Sequence, residues 1–162
     1  GDITLDDIYS VHPFGNTMCV IRVTGQQVLD ALEWGARAVP SENGGFLQVS
    51  GLTYEIHTGV ASSAEKDENG MFTRVSGEYR VKNVMVGGQP LELDKTYTLA
   101  SHNYMLLGHG DGYTMFDGCE VLGEDMMVDN QVLITYITTT LGGVVGEQYA
   151  NPYGDGRIVA VE

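Results

Sequence analysis

Residues 17–35 read TMCVIRVTGQQVLDALEWG, and a change of period inside this stretch sets the fold class. Thr17 to Val23 is rich in β-branched and apolar residues and predicts a strand. From Gly25 onward Val28, Ala31, Leu32 and Gly35 recur at i, i+3, i+4 and i+7, the spacing of one helix face. Pro40 closes that helix, and Glu42-Asn43-Gly44-Gly45 follows as a loop. A strand running directly into an amphipathic helix needs a sheet for the first and a buried face for the second.

On the N-terminal side, Thr4 to Tyr9 reads as a short helix with Thr4 as N-cap and Asp6 and Asp7 in its first turn. His12-Pro13-Phe14-Gly15-Asn16 is a breaker-rich loop. Downstream, Leu47 to His57 predicts a second strand interrupted at Gly51, and the polar segment 61–70 a solvated connection. Glu78 to Val86 and Leu91 to Ala100 predict a hairpin about Gly87-Gly88. Asn103 to Leu107 has the length of one helical turn before a glycine loop, Gly108-His109-Gly110-Asp111-Gly112. Asp129 to Leu141 predicts a helix capped by Asp129, with Val132, Leu133, Tyr136 and Ile137 inward, and Gly156 to Val161 a last strand. Hairpins among helices make the class α+β: a single layered domain of mixed sheet with flanking helices.

The chain has 162 residues, 43% of them apolar and 19% charged, enough for one domain with a real core. Its 8 Lys+Arg against 22 Asp+Glu leave a net charge of −14. Binding to nucleic acid rests on neutralising phosphates with Lys and Arg, so this balance excludes DNA and RNA as partners and disfavours anionic membranes. No apolar stretch reaches the length of a membrane span. Cys19 sits in the apolar run Met18 to Ile21 and reads as a buried small hydrophobe; a bridge to Cys119 stays open.

Chemistry concentrates in two glycine-flanked aromatic loops, Pro13 to Asn16 and Asn103 to Tyr113. A Phe beside Pro and Gly, followed by a side-chain amide, suits stacking on a flat ring while hydrogen-bonding its edge; stacking on a base contributes roughly 1–3 kcal/mol. An Asp between glycines accepts hydrogen bonds from hydroxyls where bare backbone lets a ligand approach. The same pattern also serves a core reading, in which Phe14 and Tyr104 pack inside and the glycines only turn the chain. His12, His57, His102 and His109 lack the spacing of metal ligands, and no serine stands in a Gly-x-Ser-x-Gly setting. His12 and His102 adjoin the two loops, where lining or hydrogen-bonding roles suit them, and Trp34 reads as packing or contact with another domain.

Four motifs weigh between these readings. Gly1-Asp2-Ile3-Thr4, His12-Pro13-Phe14-Gly15-Asn16, Gly44-Gly45-Phe46-Leu47-Gln48-Val49-Ser50-Gly51 and Gly110-Asp111-Gly112-Tyr113 together resemble the C-terminal domain of the 5′-nucleotidase / UDP-sugar hydrolase family. They fall in order over nearly the whole chain. The resemblance implies a substrate pocket in which two aromatics sandwich a nucleobase. On that likeness Phe14 is one face of the clamp, Tyr104 the second, Asn16 a partner for the base edge and Asp111 the acid on the ribose hydroxyls. Gly44 falls where backbone passes close to the nucleoside. The stretch from Tyr104 to Asp111 is one residue longer than the family pattern, with His109 inside it.

The resemblance further implies an N-terminal metallophosphatase domain upstream of residues 1–162, holding two divalent metal ions and the catalytic His. The family's phosphate-contacting arginines are not in this sequence. The expected partners are therefore a nucleoside or nucleotide and the upstream domain of the same polypeptide. The expected role is recognition rather than hydrolysis, with no cofactor in this domain. The family spans 5′-nucleotidases, UDP-sugar hydrolases and 2′,3′-cyclic phosphodiesterase/3′-nucleotidases, and its members imply an extracellular, cell-surface or periplasmic location. The competing reading is a non-catalytic cell-surface interaction module on the same scaffold; a self-sufficient hydrolase is opposed by the lack of a metal set or nucleophile–base pair.

Overall fold

The computed structural model describes all 162 residues. In chain order the elements are α1 (Leu5–Val11), β1 (Met18–Thr24), α2 (Gly25–Ala36), β2 (Leu52–His57), β3 (Ala64–Lys66), β4 (Phe72–Val75), β5 (Val81–Val86) and β6 (Gln89–Pro90). They continue with β7 (Thr96–His102), α3 (Asn103–Leu106), β8 (Glu120–Gly123), α4 (Asp129–Thr135) and β9 (Ile158–Val161). The class is α+β, as its sequence predicts. One sheet has the order β7-β1-β8, a second β6-β5-β2-β9, and β3 and β4 form a separate hairpin. All pairings are antiparallel except β2 with β9, which is parallel.

The strand–helix unit at 17–35 is the centre of the molecule. Thr24 ends β1 and caps α2: its hydroxyl accepts from the Gln27 N–H, and the Gln27 side chain accepts from the Thr24 N–H. Two orphan amides at the helix start are thereby satisfied. Thr4 and Asp7 make the same reciprocal pair at α1. Helix α2 packs on β1, β4 and β5, so it joins the two sheets and the hairpin. Val28, Ala31, Leu32, Trp34 and Ala36 from α2 enter one core with Cys19, Ile21 and Val23 from β1, Tyr54 and Ile56 from β2, and Phe72 from β4. Burying each large aliphatic side chain there contributes roughly 1.5–3 kcal/mol.

That helix also buries an acid. Glu33 is 0% exposed; its Oε2 accepts the Val81 N–H at 2.8 Å, and its Oε1 has no partner. Burial pushes its carboxyl above the ordinary range, partly offset by the Val81 and Arg80 amides and the Arg80 charge. The Arg80 guanidinium is itself buried and donates to the Ala36 and Val39 carbonyls.

Several expectations are corrected. The strand foreseen from Leu47 begins only at Leu52, because Gly51 turns the chain with φ +79°. The polar segment 61–70 contains β3, whose charged Glu65 and Lys66 lie at the surface, where Arg74 of β4 pairs with Glu65. The hairpin at Gly87-Gly88 closes on two residues only, and the strand beyond it, β7, leaves for the other sheet and pairs with β1. The last helix is capped at Val128 rather than Asp129, whose carboxylate instead accepts the Asn130 N–H. It ends at Thr135 and runs on as a π turn, Tyr136–Thr140, with Tyr136 exposed rather than inward. Cys19 and Cys119 are free thiols.

Candidate functional site

The register of β1 against β7 brings the two aromatic loops together. Met18 pairs with His102, so two residues further along each strand's end stand Asn16 and Tyr104. Asn103 locks this edge: its N–H donates to the Thr17 carbonyl at 2.8 Å, and its Oδ1 accepts the Thr17 N–H at 3.1 Å. Positions 86 residues apart in sequence thus become neighbours through one antiparallel ladder. A third loop arrives from the end of α2. There the Asn43 side chain donates to the Gly35 carbonyl, and Tyr113, from beyond the glycine loop, donates its hydroxyl to the Gly45 carbonyl.

Phe14, Asn16, Gly44, Tyr104 and Asp111 line one cleft of about 390 Å³. This volume falls within the roughly 300–1,000 Å³ typical of small-molecule sites. All five residues singled out from the sequence meet there. The core alternative for the aromatics is not what the structure shows: Phe14 is 85% exposed and Tyr104 47%. Large apolar rings held this open are the informative exception to burial.

The glycine loop is wound tightly. His109 and Asp111 both take left-handed backbone conformations, φ +55° and +54°, on either side of Gly110. Gly110 lies under the Tyr104 ring so closely that a Cβ there would sit 2.3 Å from two ring carbons. The ring therefore rests on bare backbone, with its hydroxyl 3.5 Å from the Asp111 carboxylate. His109, inside this glycine loop, turns to the Asp117 carboxylate.

Of the five lining residues only Asp111 carries charge. The arrangement offers two aromatic faces, one amide, one carboxylate acceptor and close backbone. None of the five lining residues is a cation. No group of three or more His, Cys, Asp or Glu side chains is assembled to hold a metal ion. His102 lies beside the site: its Nδ1 accepts the Met105 N–H at 3.3 Å as the cap of α3, and its ring centroid stands 5.9 Å from that of Tyr104. His12 points to Asp129, at 3.9 Å.

Sequence reasoning missed two supporting groups. Trp34, read as packing or domain contact, is 1% exposed, and its indole N–H donates to the Asp111 carbonyl at 2.9 Å. Arg37 lays its guanidinium over the Trp34 ring, 3.7 Å from the centroid. The sequence signal available was the Gly-Asp-Gly run; no pattern told which residue holds the Asp111 carbonyl.

The family model described as "5′-nucleotidase, C-terminal domain" matches residues 1–118, a span that includes every cleft residue. The chain is similar to the trifunctional nucleotide phosphoesterase protein YfkN of Bacillus subtilis, 33% identical over 161 residues, covering 99% of this chain and 10% of that protein. It is 31% identical over 137 residues to a 5′-nucleotidase of Vibrio cholerae, covering 85% of this chain and 21% of that one. Among solved structures, a 5′-nucleotidase precursor from Thermus thermophilus superposes with a TM-score of 0.77 at 29% identity, covering 98% of this chain and 28% of that one. The chain thus spans 10% and 21% of the two curated relatives.

Proposed function

This chain belongs to the 5′-nucleotidase C-terminal domain family, and we propose that its cleft recognises the nucleoside part of a nucleotide for a metal-dependent phosphohydrolase. The base stacks between Phe14 and Tyr104, the Asn16 amide meets the base edge, the Gly44 backbone passes beside the nucleoside, and the Asp111 carboxylate accepts from the ribose hydroxyls. The phosphate is presented to an upstream metallophosphatase domain of the same polypeptide, which supplies the two metals and the catalytic His. An extracellular, cell-surface or periplasmic setting goes with that architecture; no helix of this chain is long and apolar enough to cross a membrane.

The observation that carries this reading is the convergence of five residues, chosen for nucleoside chemistry, on one open cleft. Its electrostatics agree. A site with a carboxylate and no lining cation, in a chain at −14, suits a neutral base and sugar rather than a phosphate. The domain's part is therefore to orient the substrate, which lowers the barrier by placing reacting groups and breaks no bond itself.

Calorimetric titration of the chain tests this. Adenosine is expected to bind, and AMP to bind no more tightly than adenosine. Absence of nucleoside binding contradicts the reading. The interaction-module reading then leads, and one observation favours it: α1 and the segment after α4 border an apolar groove of about 570 Å³ in which Ile3, Leu5 and Val144 are more than half exposed.

A further inference from the structure

We infer that Trp34 is a positioning residue for sugar recognition: its indole N–H holds the Asp111 backbone, and that contact sets the preference for a nucleoside over a free base. The inference rests on the nucleoside-binding reading and adds to it a residue that does not line the cleft.

Asp111 needs holding. Its φ of +54° lies in the left-handed region, which Asp tolerates better than most residues but which nothing local imposes, for it stands exposed between two glycines that set no conformation of their own. Such geometry persists where surrounding contacts over-determine it. The contact here is the hydrogen bond from Trp34 to the Asp111 carbonyl, 2.9 Å long and spanning 77 positions of sequence. At 1% exposure the indole N–H has no water to turn to, so breaking this bond leaves a buried donor unpaired.

The direction of that N–H is also fixed. The Arg37 guanidinium covers one face of the indole at 3.7 Å, and its Nη1 donates to the Trp34 carbonyl at 2.6 Å. Phe72 meets the ring edge-on, centroids 5.7 Å apart at 68°. Gly112 passes so near that a Cβ would stand 2.9 Å from Trp34 Cζ2. A ring closed in on these sides cannot swing, so the carbonyl it grips, and with it the carboxylate of the same residue, is held against the cleft. Neither Phe nor Tyr offers a donor at that point of the ring.

The proposed contact makes a prediction that a purely structural role for Trp34 does not. Adenosine and adenine present the same base, but only adenosine reaches Asp111. In calorimetry with the 162-residue chain, wild type is expected to prefer adenosine, and Asp111→Asn to narrow that preference. Trp34→Phe keeps an aromatic ring and loses the donor. It is expected to weaken adenosine by about tenfold while leaving adenine unchanged. Because Trp34 is the single tryptophan, its indole N–H gives one resolvable proton resonance in the unmodified protein. Adenosine is expected to shift it and adenine to leave it in place.

Trp34→Phe retaining the wild-type preference, while Asp111→Asn loses it, overturns the inference and leaves the nucleoside reading standing. Equal weakening of adenine and adenosine in Trp34→Phe also overturns it, by showing only a disturbed scaffold. If Asp111→Asn leaves the preference unchanged, the sugar role of Asp111 falls and this inference with it. Where Trp34→Phe does not fold, the resonance decides: saturation with adenosine without a shift contradicts the proposal.

Discussion

The two walls of the cleft are built differently. Tyr104 rests on the Gly110 backbone, Asp111 hangs from Trp34, and Trp34 is buried in the main core under Arg37 and against Phe72. On the other wall Phe14 projects from a loop at 85% exposure, and the loop is tied down at its ends rather than at the ring: the His12 N–H donates to the Ile8 carbonyl, and the Asn16 carbonyl accepts the Asp129 N–H at 2.8 Å. One wall is continuous with the interior of the protein; the other is a ring on a tether. On the proposed nucleoside reading, the rigid wall would set where the sugar and one base face go, and the exposed Phe14 ring would meet the other base face. The contrast suits a site that fixes the ribose and tolerates different bases, since stacking accepts any base.

Trp34→Ala probes the rigid wall at its root. It removes a fully buried indole, and the expected cost is about 3–5 kcal/mol of folding stability, read from urea denaturation. A cost below about 0.5 kcal/mol, the scale of an inert surface change, erases the difference between the walls. Phe14→Ala probes the tethered wall, where the pattern inverts. Adenosine affinity is expected to fall by roughly 1–3 kcal/mol through lost stacking, and the melting temperature to stay put. A large fall in melting temperature makes Phe14 a core residue after all.

A subtler change separates ring placement from ring presence. Gly110→Ala puts a methyl group where the Tyr104 ring now lies, so the ring has to swing off its platform. Because that ring is half exposed, affinity is expected to drop by about 1 kcal/mol with little loss of stability. Wild-type affinity in this variant shows that Tyr104 need not sit where the structure has it.

The smallest effect serves as a control one position from Trp34. Burial raises the Glu33 carboxyl in the folded state, so the folded chain holds this proton more tightly than the unfolded chain. The stability gained from protonating Glu33 is fully present below its unfolded-state value and is lost as pH rises through the folded-state value. Glu33→Gln is expected to flatten this part of the stability-versus-pH curve, measured by denaturation across the acid range. Adenosine affinity at neutral pH is expected to be unchanged, since Glu33 faces Val81 rather than the cleft.

The same contrast explains what the sequence made legible. Helix α2 was readable because local spacing and burial agree: 8 of its 12 residues are buried. The departure of β7 to β1 was hidden, because Gly87-Gly88 is a strong local hairpin signal and the ladder from Met18 to His102 is a long-range choice that no local pattern records. β3 was masked by its own charges, Glu65 and Lys66, which read as a solvated connection. α4 has apolar periodicity, but Val132, Leu133 and Ile137 end only half-buried and Tyr136 exposed, so its pattern implied a deeper inward face than the fold supplies. At the cleft, Phe14, Asn16, Gly44 and Asp111 fall inside the motifs that carry the family likeness, while Tyr104 lies between two of them and was assigned by that likeness alone. What joins them was not legible: Asn103 locking Thr17, and Trp34 gripping Asp111, are contacts between distant positions whose residue types are ordinary.

The decisive measurement is a crystal structure of the chain with adenosine bound. The adenine ring is expected between Phe14 and Tyr104, with the ribose hydroxyls on the Asp111 carboxylate and the Trp34 indole still bonded to the Asp111 carbonyl. Adenosine bound away from this cleft, or within it with its base against neither ring, contradicts the nucleoside-clamp reading.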